Sequence, residues 1–475
     1  MPKHPNILFI TTDQQNCNTL GCYGGSNALS PNLDKLASEG VLLDRAYVTC
    51  PLCVPSRGSI MSGRYPHVSG IMLNDDGRDI EYSDTINGLS DVLHDSGYDC
   101  AYFGKWHLGR DEQVQHGFEE GWETFLRDSY ENWLQSSGQF SFPKPLNVHR
   151  RALVPEPLAH DTHAANRTID FLKNHKGDKP FALWCALRAP HDPYVGPYTD
   201  KFKAEDMQLP GNVSDSLIGK PVCQRNSWSK KYTEVIEKVS MPDDLKAVIA
   251  RYQGLSYFVD VNVGRVLDAL RGQNMDQDTI VVFHSDHGDM MGGHGLITKG
   301  PYMYEETNRV PFIIRYPGKL PANKRMSGLF SLVDLAPTIL DLTGIKHAEH
   351  FDGYSAMSAI KQAAPHFRDA VFAEIFEIID QRCLVLNVRT EKWKYNMYFG
   401  DIDELYDMEN DPLELTNLAE QPGMVTVVDG LQKTLQQWLL ETGGLDMVSL
   451  LAKLGKDRPM NYLSKQIGMM ATRSI

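Results

Sequence analysis

Short apolar segments alternate along most of the chain with segments of helical periodicity. Apolar runs typical of strands buried on both faces occupy residues 6–12, 99–103, 181–186, 279–284 and 310–316. Helical patterns are found at residues 31–40, 84–96, 162–174 and 242–272. Because strands that alternate with helices form parallel sheets, the sequence predicts a doubly wound α/β fold, with a mostly parallel sheet flanked by helices on both faces.

The pattern changes towards the C-terminus. Shorter strands of alternating character are predicted at residues 370–376, 382–389 and 393–398, followed by a helix at residues 425–441. A chain of 475 residues also exceeds one ordinary hydrophobic core. We therefore predict an N-terminal domain at residues 1–365, which carries the candidate catalytic groups, and a smaller C-terminal α+β subdomain with an antiparallel sheet at residues 366–475.

Composition excludes several classes of partner. Lysine and arginine number 47 against 61 aspartate and glutamate residues, a formal net charge of -14, so nucleic acid is not expected to bind. No secretory signal is visible, and no run of about 20 apolar residues could cross a membrane. We expect a cytoplasmic protein, or a periplasmic or secreted one if a signal peptide has been removed. The eight cysteines form no disulfide or zinc pattern.

One short segment combines a nucleophilic side chain, a proline and an arginine: Cys53-Val54-Pro55-Ser56-Arg57, followed by Ser62-Gly63. Pro55 favours an extended Val54 and can open a helix, so residues 56–61 are expected to form a first helical turn. Backbone N–H groups there would favour an anion beside Arg57. Taken alone, Cys53 is equally compatible with a small buried hydrophobic residue.

The segment resembles the signature of the type I sulfatases, members of the alkaline phosphatase superfamily. In that family the cysteine is oxidised to Cα-formylglycine by a formylglycine-generating enzyme, and the arginine steadies the aldehyde. The resemblance implies the same for Cys53 and Arg57, and the serine at Ser62 replaces the usual threonine conservatively. One hydroxyl of the hydrated aldehyde can attack sulfur, and the other can lose a proton so that sulfate leaves as the aldehyde reforms.

Polar residues end two of the predicted strands: Asp13-Gln14 and Asp286-His287. In an open α/β sheet, ligands bind beyond the carboxyl ends of the strands. The two carboxylates, the Gln14 carbonyl, a His287 nitrogen and an oxygen of residue 53 could together hold a hard divalent cation. Taken alone, Asp13-Gln14 would instead indicate a solvated strand end. The resemblance implies calcium, and the ligand chemistry also admits manganese or magnesium.

Further candidate groups follow other predicted strands. Lys105 and His107, in Gly-Lys-Trp-His, could present a cation to sulfate and an imidazole to the hydrated aldehyde. His191 could donate a proton to the departing alkoxide, and Lys299 could neutralise the bridging oxygen. Each of these residues on its own indicates no function, but together with Asn74 they match the sulfatase active site in chain order. The resemblance implies that Lys105, Asn74, His191 and Lys299 cradle sulfate and that His107 is the base that triggers its release.

Departures from the common sulfatase pattern keep alternatives open. Gln14 and His287 resemble residues of choline sulfatases and phosphonate monoester hydrolases, so phosphonate or phosphodiester cleavage is the second hypothesis. Those hydrolases usually replace Lys-x-His with Tyr-x-Thr, whereas this chain retains Lys105 and His107. Hydrolysis of a sulfate monoester is therefore the leading prediction. A third hypothesis is a non-catalytic binder of sulfated glycans, which an unmodified Cys53 would produce.

The substrate is less constrained by the sequence. Residues 110–160 and 198–241 are expected to form the pocket walls, and the candidate substrate contacts in and beyond them are Trp133, His149, Arg150, Arg151, Trp228 and Arg309. Arginines with an aromatic residue suit a carboxylated or multiply sulfated saccharide, so we predict a sulfated carbohydrate. A cage for the choline cation cannot be placed in the sequence. A homo-oligomer is compatible with the sequence, which does not specify one.

Overall fold

The computed structural model describes residues 4–74, 87–108, 116–123, 134, 154–225, 243–376 and 383–443. The strands are β1 (Asn6–Asp13), β2 (Val41–Leu43), β3 (Ala46–Tyr47), β4 (Asp99–Gly104), β5 (Glu120–Glu123), β6 (Phe181–Pro190), β7 (Thr279–Ser285), β8 (Arg309–Val310), β9 (Phe312–Arg315), β10 (Lys324–Met326), β11 (Phe330–Ser331), β12 (Ala370–Ile375), β13 (Val385–Thr390), β14 (Trp393–Tyr398) and β15 (Glu404–Asp407). The α-helices are α1 (Pro31–Ser38), α2 (Cys53–Ser62), α3 (Pro66–Ser69), α4 (Leu89–Asp95), α5 (His160–Asn174), α6 (Val222–Arg225), α7 (Asp243–Gly272), α8 (Glu305–Asn308), α9 (Leu335–Thr343), α10 (Met357–Gln362) and α11 (Val425–Glu441).

The main sheet has eight strands in the order β10-β2-β9-β7-β1-β6-β4-β5. Strand β1 lies at its centre and runs parallel to both β6 and β7. Strand β9 is antiparallel to its neighbours β7 and β2. The predicted mostly parallel sheet is therefore confirmed, with β9 as the exception. Among the described helices, none is long and apolar enough to span a membrane.

The segment at residues 310–316, predicted as one strand, is divided in the structure. Strand β8 pairs with β3 in a separate three-stranded sheet, β11-β3-β8, whereas β9 joins the main sheet. Pro311 lies between the two strands. Because proline has no N–H to donate to a neighbouring strand, it is a natural point for the chain to pass from one sheet to the other.

Alternating side chains of β1 fill the two layers of the core. Ile7 and Phe9 face one layer, which includes residues of α2 and α9. Leu8 and Ile10 face the other, where α1, α5 and α7 pack. Burying a side chain of this size contributes about 2 kcal/mol, so the alternation fixes which face of β1 meets which layer. The carboxyl end of β1 is thereby held in place between two packed layers.

A separate four-stranded sheet, β12-β13-β14-β15, is antiparallel throughout. Helix α11 covers one face, where Leu435 and Trp438 pack with Leu386 and Val388. The predicted C-terminal antiparallel sheet is confirmed. The domain boundary at residue 365 stays a prediction, and residues 444–475 lie outside the described residues.

A buried lysine connects this sheet to the main body. The Lys394 ammonium on β14 lies 3.1 Å from a carboxylate oxygen of Glu305 in α8 and 2.8 Å from one of Glu414. Burial raises the pKa of both carboxyls, but Lys394 and Arg389 hold that of Glu305 at about 2, whereas that of Glu414 rises to about 7. One buried cation is thus shared between two acids from different parts of the chain.

A buried histidine makes a second connection. His67 of α3 places its Nδ1 2.9 Å from the Glu374 carboxylate of β12 and its Nε2 2.9 Å from the Thr442 hydroxyl. The ring of Trp438 meets His67 edge-on, with 5.1 Å between ring centroids. Burial lowers the pKa of His67, but the charge of Glu374 outweighs it and the net shift is upward. Folding therefore favours the protonated, ion-paired form of His67 more than in an ordinary histidine.

Candidate active site

Three separate parts of the chain bring two acids, a histidine and a cysteine together. Strands β1 and β7 pair in parallel with Thr12 opposite Ser285, so Asp13 and Asp286, the next residue of each, lie side by side. Cys53 is the first residue of α2, and His287 follows Asp286. One ligand atom from each of Asp13, Cys53, Asp286 and His287 lies within 4.8 Å of the others, and all four residues are buried.

Cys53 has the central position in this cluster. Its Sγ lies 3.1 Å from Nε2 of His287 and 3.7 Å from Oδ1 of Asp13. The predicted helix in this segment is confirmed, but it begins at Cys53 itself, so the cysteine belongs to the first turn. Asn74 accepts a hydrogen bond from the Val54 N–H at 3.1 Å through its Oδ1, which places Asn74 beside that same turn.

Gln14 is oriented towards the cluster by its neighbours. Its backbone φ of 64° is left-handed, a conformation that costs a non-glycine residue about 1 kcal/mol, and its N–H donates to Asp286. Its side-chain Nε2 donates to Oδ2 of Asp289 at 2.6 Å. The Oε1 atom is thereby turned to Lys299, whose Nζ lies 2.7 Å away. Gln14 therefore presents an oxygen on the side of Cys53.

Arg57 lies against the two acids. Its Nε donates to Asp286 at 2.8 Å, and its terminal nitrogens reach the Asp13 carboxylate at 3.5 Å and the Lys105 carbonyl at 2.7 Å. The predicted support of residue 53 by Arg57 is thus indirect in this geometry, because the guanidinium holds the carboxylates that surround Cys53. Such a buried arginine also offsets part of their mutual repulsion.

Two lysines give the site a local positive charge in an acidic protein. Lys105 pairs with Asp13, and Lys299 places its Nζ 3.2 Å from Cys53 Sγ. Burial disfavours the Cys53 thiolate, but Lys105, Lys299 and His287 outweigh it, so the pKa of Cys53 lies well below its usual range. The position of residue 53 is therefore built to stabilise negative charge.

Two further histidines approach the same point. The His107 side chain is buried and hydrogen-bonds to Cys53, and burial together with Lys105 lowers the pKa of His107 to about 4. The Nε2 of His191 lies 2.9 Å from Lys299 Nζ, while its Nδ1 lies 2.7 Å from the Asp192 carbonyl. His107 thus contacts Cys53 directly, whereas His191 is linked to Cys53 through Lys299.

Arg309, a candidate substrate contact, lies elsewhere in the structure. Its Nη1 donates to the Asp44 carbonyl at 3.2 Å, and its Nε is 3.6 Å from Glu305. The described contacts of Arg309 do not include the Cys53 cluster, so its role in binding substrate stays a prediction. The other candidate contacts, Trp133, His149, Arg150, Arg151 and Trp228, lie outside the described residues.

The structure adds polar groups that sequence reasoning missed. Asp289 accepts hydrogen bonds from Gln14 and from the Tyr194 hydroxyl, and Asp192 lies 3.4 Å from Gln14 Nε2. The Tyr252 hydroxyl donates to the backbone carbonyl oxygen of Gln14 at 2.6 Å. Both acids could have been suspected, because each follows a predicted site residue within three positions. The tyrosines carry no local signal.

An open cleft lies beside His191. Its polar lining comes from His160, Asp161 and Arg188, and its apolar lining includes Leu255 and Phe258. The Arg188 guanidinium donates to the Asp192 carbonyl at 2.9 Å, and its backbone N–H donates to Asp161. The cleft thus offers a cation and a limited apolar surface next to one of the site histidines.

Comparison with known proteins gives consistent matches. The family model described as sulfatase matches residues 5–345, and that of the N-sulphoglucosamine sulphohydrolase C-terminal region matches residues 292–441. The chain is 30% identical to the choline-sulfatase of Rhizobium meliloti, over 88% of this chain and 83% of that protein. It is 27% identical to the N-acetylglucosamine-6-O-sulfatase of Bacteroides thetaiotaomicron, over 93% and 86% of the two chains. A solved structure containing D-glucosamine-2-N,6-O-disulfate as substrate has the same fold, with a TM-score of 0.78 at 23% identity, covering 94% of this chain and 99% of that chain.

Proposed function

The chain belongs to the sulfatase family and is a sulfuric ester hydrolase, and on that premise we propose that it cleaves a sulfated carbohydrate with a formylglycine at position 53 and one divalent ion, calcium. The observation that carries this proposal is the position of Cys53. It begins a helix within hydrogen-bonding distance of Lys299 and His287, and it also contacts His107. A formylglycine-generating enzyme would be the partner during maturation.

The residues around Cys53 fit a calcium ion. Asp13 and Asp286 supply two carboxylates, Gln14 an amide oxygen turned towards the site, and His287 an imidazole nitrogen. An oxygen on residue 53 would add a further hard ligand. Calcium accepts irregular sets of six to eight mostly oxygen ligands, whereas magnesium demands a near-ideal octahedron. When bound, the ion would reduce the cost of negative charge on the oxygen of residue 53.

The formylglycine hydrate would supply the attacking oxygen and a way to release sulfate as the aldehyde reforms. Lys105 and Lys299 are placed to bind the negative oxygens of the sulfate, since both lie in the buried cluster around Cys53. His191 is placed to give a proton to the departing sugar oxygen, and Lys299, whose Nζ lies 2.9 Å from Nε2 of His191, is placed to neutralise charge on that same oxygen. His107 is placed to take the proton from residue 53. General acid–base groups of this kind typically accelerate a reaction by about 10²- to 10⁴-fold.

The cation and imidazole beside residue 53 favour a sulfate monoester over the phosphonate alternative. Lys105 pairs with Asp13, and His107 hydrogen-bonds to Cys53. Both side chains therefore belong to the cluster and are not surface residues that happen to match a motif. In the hydrolases of the second hypothesis, these two positions would be uncharged.

The cleft beside His191 favours a carbohydrate over choline. A quaternary ammonium needs a cage of aromatic faces. Phe258 is the only phenylalanine, tyrosine or tryptophan among the described residues that line the cleft. The Arg188 guanidinium can donate to hydroxyls or anions, and the Asp161 carboxylate can accept from hydroxyls. The relative that acts on N-acetylglucosamine 6-O-sulfate supports the same class of substrate.

Sulfate release from a matched panel tests the substrate class. Protein co-expressed with a formylglycine-generating enzyme is given sulfated hexosamines, choline sulfate and an aryl phosphonate monoester, and sulfate or phosphonate is quantified by ion chromatography. We expect a kcat/KM at least ten times higher for one of the sulfated sugars than for the other two classes. Preferred cleavage of choline sulfate would reject the carbohydrate proposal, and preferred cleavage of the phosphonate would reject the sulfate ester as the main substrate.

A further inference from the structure

Two cysteines outside the active site lie in contact. The Sγ atoms of Cys223, in α6, and Cys383, just before β13, are 3.6 Å apart. Cys383 is buried and Cys223 is partly exposed. All eight cysteines of the chain are free thiols in the structure, and the catalytic proposal above uses only Cys53.

The backbone on each side of this thiol pair is held by separate hydrogen bonds. The Cys223 N–H donates to the Asp401 carboxylate at 3.1 Å. Its neighbour Gln224 is buried and donates to the Tyr398 hydroxyl at 3.1 Å. On the other side, the carbonyl of Leu384 accepts from the Phe399 N–H at 3.1 Å. Since both segments are anchored to the turn that follows β14, the two thiols are kept next to each other.

We propose that Cys223 and Cys383 are a disulfide modification site that a small-molecule disulfide such as oxidised glutathione closes reversibly. The thiolate of Cys223, the more exposed residue, attacks oxidised glutathione, so a mixed disulfide forms and one glutathione thiol leaves. Cys383 then attacks the Cys223 sulfur and releases the second glutathione. Two protein thiols are oxidised, one glutathione disulfide is reduced to two thiols, and the sulfurs close from 3.6 Å to the roughly 2.0 Å of a disulfide bond.

The reaction is expected to be slow at neutral pH. The hydrogen bond to Cys383, together with burial, raises the pKa of Cys223. Because the thiolate is the attacking form, oxidation should become faster as the pH rises. Closure would join α6 covalently to the C-terminal sheet. Cys383 belongs to the same apolar cluster as Leu52, the residue before Cys53. The disulfide would therefore also brace the apolar residues packed at the start of α2.

Peptide mass spectrometry tests the proposal on the full-length protein. The protein is incubated with oxidised glutathione or with a phosphine reductant, free thiols are alkylated under denaturing conditions, and the digest is analysed without reduction. We expect a cross-linked peptide pair containing residues 223 and 383, lighter by two hydrogens than the two thiol peptides together. The pair should disappear on reduction and be absent from the Cys223→Ser variant. The matched Cys22→Ser variant, which changes another partly exposed cysteine, should retain it.

Other outcomes would overturn the inference. Recovery of Cys223 and Cys383 as alkylated thiols after oxidation would mean that the pair does not close, and so would a lasting mixed disulfide of Cys223 with glutathione. The bracing effect is tested by thermal unfolding, in which the oxidised wild type should have a higher midpoint than the reduced form. An equal or lower midpoint would reject the bracing. The Cys223→Ser variant should show no difference between the two conditions.

Discussion

Asp289→Asn should weaken binding of the proposed calcium ion while leaving the protein folded. Each carboxylate oxygen of Asp289 accepts two hydrogen bonds. Oδ1 accepts from the backbone N–H groups of Met291 at 2.8 Å and Thr298 at 2.9 Å. Oδ2 accepts from Gln14 Nε2 at 2.6 Å and from the Tyr194 hydroxyl at 2.7 Å. Asparagine keeps the shape of this group but replaces one acceptor with an NH2 donor.

The size of the loss in metal affinity depends on which hydrogen-bond partners of residue 289 can adapt to asparagine. The two backbone N–H groups cannot move, so the asparagine oxygen should remain near them and its NH2 should face Gln14 and Tyr194. The hydroxyl of Tyr194 can rotate and accept, but Gln14 would have to reverse its amide and turn NH2 towards Lys299. Losing one charge-assisted hydrogen bond costs about 1.5–3 kcal/mol. This corresponds to roughly 10- to 100-fold weaker metal binding, the usual cost of removing a group that orients a ligand.

Calorimetric titration of the chelator-treated protein with calcium measures this effect directly. Circular dichroism should show that Asp289→Asn retains the wild-type fold, and sulfate release should recover in part at high calcium. Asp192→Asn is the matched control, because Asp192 is 3.4 Å from the same Gln14 nitrogen and should have a smaller effect. A folded Asp289→Asn protein with wild-type calcium affinity would refute the assigned orientation of Gln14.

Four other variants test the chemistry and the packing. Cys53→Ala and His107→Ala should each reduce sulfate release by at least about 10²-fold, with unchanged circular dichroism, and full activity in either would contradict its assigned role. Since the folded pKa of His67 is raised, its pairing with Glu374 should contribute stability that is fully present below about pH 6.5 and lost as the pH rises through the folded pKa. The urea midpoint of the wild type should therefore fall over that range relative to His67→Gln, and parallel curves would contradict the pairing. Lys394→Met removes the ammonium that Glu305 and Glu414 share and leaves Glu305 with Arg309 and Arg389, and it should destabilise the protein by about 3–5 kcal/mol in urea unfolding. A loss below about 1 kcal/mol would show that the two buried glutamates do not depend on Lys394.

Local sequence signals predicted the features that depend on one segment. The apolar run of β1 and the polar residues after it fixed both the strand and its functional end, because a buried strand needs continuous apolar residues and its carboxyl end faces the ligand side. The same signals located β7 and Asp286. Helix α2 begins at Cys53, three residues before the predicted first turn at residue 56, because Pro55 lies inside the first turn and does not open it.

Features that depend on distant contacts could not be predicted. Gln14 and Asp289 are 275 positions apart, and nothing in either segment indicates that they meet. Pro311 is a local signal for the splitting of residues 310–316, but the pairing of β8 with β3 in a second sheet depends on a distant segment. The position of Arg309 could have been predicted. Arg309 and Glu305 are four residues apart, a spacing that favours an ion pair between their side chains.

Peptide mass spectrometry across residue 53, paired with the rate of sulfate release, tests whether the reaction depends on formylglycine at that position. Preparations made with increasing amounts of formylglycine-generating enzyme should show an increasing fraction of peptide in which the cysteine CH2SH is replaced by an aldehyde. Sulfate release should rise in proportion to that fraction and should be lost in Cys53→Ala. Sulfate release by a preparation whose residue 53 is entirely thiol would contradict this dependence on formylglycine.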